Sequence, residues 1–153
     1  MPNPESLSCF ATATRKASRR LTQLYDDMLE PSGLRSTQMA ILVEIELMSA
    51  KPPTVAELAA VLVTDRSGLG HNLRPLERDG LIALLEGTED RRRRNVVLTA
   101  HGKAKLREAL PLWNKAQERF LAVFGELEAE RLRATLLGIA EDERLAKITD
   151  EAE

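Results

Sequence analysis

The sequence predicts a mainly α-helical fold of six helices, with one small two-stranded hairpin between the fourth and the fifth. Three observations predict it. Apolar residues recur at three- and four-residue spacing through most of the chain, as in helices with one buried face. Leu81 to Leu98 alone changes to strand-type alternation on either side of a polar loop. The punctuation is strong: Pro31-Ser32-Gly33, Lys51-Pro52-Pro53, Gly80 and Gly125 each fall where a periodic run ends.

The first helix is predicted from about Leu7 to about Leu29, with Phe10, Ala13, Ala17, Leu21, Leu24 and Met28 on one face. The second begins at Ser36 or Thr37, either of which can cap it, and carries Met39, Leu42, Val43 and Leu47. Thr54-Val55-Ala56-Glu57 reads as a capping box for a short helix, Val55 to about Val61. The fourth helix begins near Thr64-Asp65 and runs to about Arg78, with Gly80 as its stop and Pro75 predicting a bend or a tightened last turn. Leu81 to Glu86 and Asn95 to Leu98 are strands, joined by the arginine-rich loop Gly87 to Arg94. Thr99 caps a long helix to about Phe124, which Gly125 breaks. A last helix, about Glu128 to about Lys147, carries Leu132, Leu136, Ile139 and Leu145.

Composition narrows the function. A chain of 153 residues, 43% hydrophobic and 30% charged, reads as one globular domain with a true core. Its one cysteine, Cys9, allows no internal disulfide and fits a reducing compartment. No apolar run approaches the roughly 20 residues that span a bilayer. Met1 to Ser8 lacks a basic start followed by an apolar stretch, so a cytoplasmic location is expected and no membrane partner. There is no glycine-rich phosphate loop, no nucleophile beside a base and no histidine–carboxylate cluster, so no enzyme activity and no cofactor are expected. His71 and His101 stand 30 positions apart without cysteine neighbours and predict no metal site. Net charge is −2, but it is unevenly placed. Arg15, Lys16, Arg19 and Arg20 cluster, as do Arg91, Arg92, Arg93 and Arg94; acid collects from Glu141 to Glu153. Local charge governs an interface, because the Debye length is about 8 Å at physiological salt.

Helix, short helix, helix and hairpin in this order make a winged helix-turn-helix, in which the fourth helix projects a polar face of a width that suits the DNA major groove. Leu69, Leu73 and Leu76 form its buried stripe. Arg66, Ser67, His71, Asn72, Arg74 and Arg78 are hydrogen-bond donors on the other side, and the small Gly68 and Gly70 would let a backbone come close. Singly, each polar residue here is most often a solvated surface group. The hairpin tip, Asp90-Arg91-Arg92-Arg93-Arg94, changes that balance. Four neighbouring guanidiniums repel one another unless a phosphate backbone or a narrow minor groove relieves them. Asp90 is expected to brace one of them, Arg92, in an extended pose.

The segment from Asp65 to Ile82 resembles the recognition helix of the MarR family of transcriptional regulators. Asp90-Arg91-Arg92 followed by Arg94 is similar to the family's D-x-R wing motif, and Val97-Leu98-Thr99 with Gly102 to the start of its fifth helix. The resemblance covers about Phe10 to Leu145. It implies a DNA-binding lobe (about 36–98) and dimerisation helices (about 7–30 and 99–147), with the fourth helix in the major groove and Arg92 in the minor groove. It implies partners too: double-stranded DNA bearing an inverted repeat, and a second copy of the chain. It further implies a repressor that leaves its operator when a small, often aromatic molecule binds between the dimer region and the lobe. Apart from the resemblance, Leu106, Leu110, Trp113, Phe120, Leu121, Val123 and Phe124 give the fifth helix more apolar surface than one small lobe covers. A ligand pocket between the first, second and fifth helices is expected, with Arg15, Met39 and Trp113 in its wall, although Trp113 reads equally as core.

Two alternatives stand beside this reading. One is a winged helix that binds protein. The other is a peroxide sensor using Cys9, whose setting before Phe10-Ala11 resembles the hydroperoxide-sensing branch of the family. That branch surrounds its cysteine with several tyrosines; this chain has only Tyr25, and aligning on it shifts the cysteine two residues, onto the wrong helical face.

Overall fold

The computed structural model describes residues 9–87, 90 and 92–146. The elements follow as α1 (Phe10–Leu29), α2 (Ser36–Leu47), α3 (Val55–Val61), α4 (Arg66–Arg78), β1 (Ile82–Glu86), β2 (Arg94–Leu98), α5 (Ala100–Phe124), α6 (Glu126–Glu141) and α7 (Glu143–Ala146), with a 3-10 turn over Glu30–Ser32. The mainly helical fold with one antiparallel hairpin is as the sequence predicts. The chain divides into two compact units, Met1–Ala116 and Gln117–Glu153.

The core of the first unit grows from the predicted periodicities. Leu69, Leu73 and Leu76 on α4, Leu58 on α3, and Met39, Leu42 and Ile45 on α2 are all buried in one cluster. The hairpin adds Ile82, paired with Leu98, and Val96, paired with Leu84. Its outer edge is not left open. The Val96 amide donates to the Pro53 carbonyl at 2.8 Å and the Asn95 side chain to that of Pro52 at 3.1 Å, so the α2–α3 linker lies along β2 and covers its free edge. The capping box forms as predicted. The Thr54 hydroxyl accepts the Glu57 amide at 3.2 Å, and the Glu57 carboxylate accepts the Thr54 amide at 2.8 Å. Hydrogen bonds from the Thr54 amide and hydroxyl hold the Glu57 carboxyl below the ordinary range.

The start of α4 is fixed by Asp65, which accepts the Gly68 amide at 2.6 Å. Its end closes on Gly80 at φ 72°, with the Leu81 amide donating to Leu76 at 2.9 Å and the Gly80 amide to Glu77 at 3.0 Å. Thr99 ties this turn to α5: its hydroxyl donates to the Gly80 carbonyl at 2.6 Å and accepts the Gly102 amide at 2.9 Å. The contact depends on Gly102, where a Cβ would stand 1.9 Å from the Leu81 carbonyl oxygen.

The structure differs from the expectation at three element ends. Neither Ser36 nor Thr37 caps α2; both lie inside it, and Arg35 is the cap in extended backbone. The free amides are satisfied from elsewhere, Ser36 by the Asp26 carboxylate at 2.7 Å and Arg35 by the Gln38 side chain at 2.9 Å. Burial pushes the Asp26 carboxyl up, but the Ser36 amide and hydroxyl and the Arg35 guanidinium together hold it below the usual range. The last helix begins earlier than expected, at Glu126, and breaks at Asp142, whose carboxylate accepts the Arg144 amide at 2.9 Å and so starts the short α7. The expected ends at Leu7 and Lys147 lie outside the described residues.

Every residue from Phe10 to Arg20 is exposed, including the predicted apolar positions Phe10, Ala13 and Ala17; only from Leu21 onward is that face of α1 partly covered. On α5 the buried positions are the small residues Gly102, Ala109 and Ala116, at seven-residue spacing. In the second unit Phe120 and Phe124 stack with ring centres 5.0 Å apart, Ala129 is buried, and Leu127, Leu137, Ile139 and Leu145 are exposed. Among the described residues no helix is long and apolar enough to cross a membrane.

Candidate nucleic-acid interface

With its leucine stripe in the core, α4 turns Arg66, Ser67, His71, Asn72, Arg74 and Arg78 to solvent. Two of these are engaged within the chain: the Asn72 amide donates to the Gly68 carbonyl at 3.2 Å, and the Arg78 guanidinium pairs with Asp79 at 3.0 Å. The two helix glycines differ. A Cβ on Gly68 would press on Thr64 and Asp65, so that glycine serves the cap, whereas Gly70 has open space around it.

The hairpin loop brings Arg92, Arg93 and Arg94 out beside Asp90, all exposed; Arg91 lies outside the described residues. The expected brace between Asp90 and the Arg92 guanidinium is corrected by the geometry. The Asp90 carboxylate accepts the backbone amide of Arg92 at 2.9 Å, and its second oxygen stands 4.0 Å from the Arg93 guanidinium. A carboxylate two residues upstream is in reach of that amide as an Asx turn, whereas a guanidinium sits at the end of a long flexible stem. The Asp90 carbonyl also accepts the Arg93 amide at 3.0 Å, and the Gly87 amide donates to the Arg93 carbonyl at 2.8 Å. Gly87 is a position that sequence reasoning passed over: a Cβ there would come within 2.7 Å of the Asp90 carbonyl oxygen. Its only signal was a glycine at the point where strand alternation stops.

Between the start of α3, the first residue of α4 and the hairpin loop lies an open groove of about 510 Å³ lined by Thr54, Arg66, Arg92, Arg93 and Arg94, among others. Among the described residues, Arg66, Arg92 and Arg94 have no carboxylate within ion-pair distance, although Arg94 lies opposite Glu86 in the hairpin. Three unneutralised cations round one groove suit a polyanion.

Of the three residues expected in the ligand wall, only Met39 is fully buried. Met39 has no exposed surface and belongs to the core. An apolar residue on the inner face of α2 meets the core before it can meet a pocket. Arg15 is exposed on α1. Trp113 is half-buried and packs on Tyr25, ring centres 4.7 Å apart. Cys9 is exposed at the cap of α1, where the Thr12 amide, then its hydroxyl, then the Ala11 amide hold its thiol below the ordinary range. No potential metal-binding cluster occurs among the described residues, and His71 and His101 are both exposed.

No family model matches the chain. Individual relatives do. The transcriptional regulator HosA of Escherichia coli O157:H7 is 31% identical over 126 residues, 78% of this chain and 88% of its own length. The structure of the transcriptional regulator MosR of M. tuberculosis in complex with DNA matches with a TM-score of 0.81 and 35% identity, over 92% of this chain and 100% of that one. The transcriptional repressor CouR, known from Rhodococcus jostii RHA1, bound to a 23-mer DNA duplex, matches with a TM-score of 0.78 and 25% identity, over 92% of this chain and 99% of that one. Relatives of this kind are regulators and not enzymes, and two of these three hold DNA. A lobe that turns its arginines outward beside a helix-turn-helix is thus matched, nearly from end to end, by proteins captured on duplexes: the chain belongs to the MarR family of winged-helix, DNA-binding transcriptional regulators.

Proposed function

We propose that this regulator works as a homodimer on an inverted-repeat operator, with α4 of each copy in a major groove and Arg92 of each wing in the adjacent minor groove. The observation that carries the reading is the set of exposed arginines on α4 and the wing, Arg66, Arg92 and Arg94, none with an acidic partner among the described residues. Ser67, His71, Asn72 and Arg74 supply donors to base edges; Arg78, Arg91 and Arg93 add positive charge. Residues 36–98 serve as the DNA lobe, and 7–30 and 99–147 as the dimerisation helices. The apolar residues left in water support a second copy: Phe10 is 91% exposed, and Leu137 and Ile139 are more than half exposed. CouR is a repressor, and repression is the mode proposed here. Release follows the binding of a small aromatic molecule, for which the half-buried Tyr25–Trp113 pair offers a stacking surface and Arg15 a cation.

The test is a fluorescence-anisotropy titration against a duplex selected by the protein from a random library, with light scattering on the free protein. A dimer mass and a footprint spanning two half-sites about one helical turn apart are expected. A single-chain mass at micromolar concentration, or protection of one half-site only, overturns the reading. A thermal-shift screen of aromatic acids and their thioesters tests the ligand, since a molecule selective for the folded state raises the melting temperature.

A further inference from the structure

We infer that the groove between the first residue of α4 and the wing seats one phosphodiester of the DNA backbone, and that Arg66 and Arg94 grip it together as a clamp. The inference rests on the proposed docking of α4 and the wing in neighbouring grooves. In a duplex, a major groove and the adjacent minor groove are separated by a single sugar–phosphate strand. A protein that fills both must therefore leave a channel for that strand between the two filling elements. Here the channel exists: it is about 510 Å³, open, and has Arg66 at the start of α4 and Arg92, Arg93 and Arg94 along the wing.

The arginines on its walls differ in availability. Arg93 lies 4.0 Å from Asp90, and the Asp90 carboxylate is also the acceptor for the Arg92 amide. Arg92 stands at the turn of the loop, two residues before β2, and is the residue proposed above for the minor groove. Arg94 is the first residue of β2 and Arg66 the first of α4, so both guanidiniums spring from backbone fixed by regular hydrogen bonding. Glu57 also lines the groove, but its carboxylate is turned onto the Thr54 amide and hydroxyl at 2.8 and 2.9 Å, and Glu86, opposite Arg94 in the hairpin, makes no ion pair with that arginine among the described residues. Two arginines from separate elements, with neither neutralised among the described residues, make a phosphate clamp with no sequence preference of its own.

The experiment places a single neutral methylphosphonate at each backbone position of the selected operator duplex in turn. With the wild-type protein, one position per half-site should cost about tenfold in affinity. On that duplex Arg66→Gln and Arg94→Gln should bind no more weakly than the wild type, because the charge they contact is already gone. On the unmodified duplex each variant should lose about tenfold, the double variant should lose clearly less than the product, and the salt slope should fall by about 1. Circular dichroism of the variants and partial rescue by Arg66→Lys guard against misfolding. If Arg66→Gln and Arg94→Gln lose the same factor on every methylphosphonate duplex, or if their losses multiply, the shared clamp is overturned. Inorganic phosphate at matched ionic strength supplies the second arm. Displacement of DNA from wild type but not from Arg66→Gln, with no position-specific methylphosphonate effect, would assign the groove to a free anion and also overturn the inference. Failure of the underlying regulator reading looks different, because the wild type would then prefer no duplex over random DNA.

Discussion

The carboxylate of Asp90 holds the backbone amide of Arg92 at 2.9 Å and leaves the Arg92 side chain without a partner among the described residues. The acid in the wing shapes the loop and does not anchor the arginine's tip. The sign of the Asp90 effect therefore separates shape from charge. Asp90→Ala loses the turn and should weaken operator binding about threefold to tenfold, even though it removes a negative charge. Asp90→Asn keeps an oxygen for the same amide and should bind at least as tightly as the wild type. Anisotropy titrations at fixed salt decide; tighter binding by Asp90→Ala would reduce the wing to a diffuse basic patch.

Gly102→Ala should be among the most damaging single methyl additions in the chain. The new Cβ would stand 1.9 Å from the Leu81 carbonyl oxygen, and backbone has no rotamer by which to escape. A cost of about 3 kcal/mol or more is expected, the upper range for overpacking. Thermal denaturation should show a fall of roughly 6–12 °C, and an unchanged melting temperature would mean that the α5 start sits further from the wing.

Asp26 makes stability depend on pH. Its folded carboxyl titrates below the ordinary range, so the unfolded chain binds the proton more readily. The stabilisation is fully present above the unfolded value of about 4 and is lost as pH falls through the lower, folded one. Asp26→Ala should lose about 1 kcal/mol at neutral pH, the scale of a helix cap. The gap between variant and wild type should narrow progressively in denaturant titrations carried below about pH 4. A gap that stayed constant with pH would refute the cap.

Val63 occupies the turn between α3 and α4 at φ 51°, although it is β-branched, and its side chain is exposed. The left-handed region costs an L-residue about 1–2 kcal/mol. Glycine removes that strain but adds about 0.5–1 kcal/mol of chain entropy. Val63→Gly should therefore be neutral to about 1.5 kcal/mol more stable, with operator affinity unchanged. A clear loss of stability would show that the valine is held by contacts outweighing its strain.

Cys9 should react without switching. Its thiol is exposed and held toward the thiolate by the Thr12 amide, so alkylation should have its midpoint below that of an ordinary cysteine. Tyr25 lies about 24 Å further along the same helix at 1.5 Å per residue and stacks on Trp113, so it is out of reach of the sulfur within one chain. Peroxide should change operator binding equally in wild type and Cys9→Ser. Loss confined to the wild type would establish the thiol switch.

Much of the fold was legible because it is written locally. Thr54 and Glu57 are three residues apart and cap each other. Leu69, Leu73 and Leu76 follow the helical repeat into the core, and Gly125 stops α5 with φ 83°. What was not legible depends on partners distant in sequence or on small differences in reach. The α2 cap comes from Asp26, ten residues upstream on another helix. Asp90 could serve a guanidinium or an amide, and spacing alone does not choose. Met39 lies on an apolar helix position that serves core and pocket wall alike until the packing around it is known. The exposed arginines of α4 and the wing were legible; the groove that brings Arg66 to Arg94 was not, because it is made by the linker and β2 folding onto one another.

Because no side chain lies between Gly102 and the Leu81 carbonyl, the first turn of α5 and the root of the wing meet as hard surfaces, backbone against backbone. Side chains are the compliant part of a protein interface; they absorb small motions by changing rotamer. Here that cushion is missing, and the Thr99 hydroxyl bolts the same joint to Gly80 at the foot of α4. A tilt of the first turns of α5 would thus be passed undamped to the foot of α4 and the root of the wing at once.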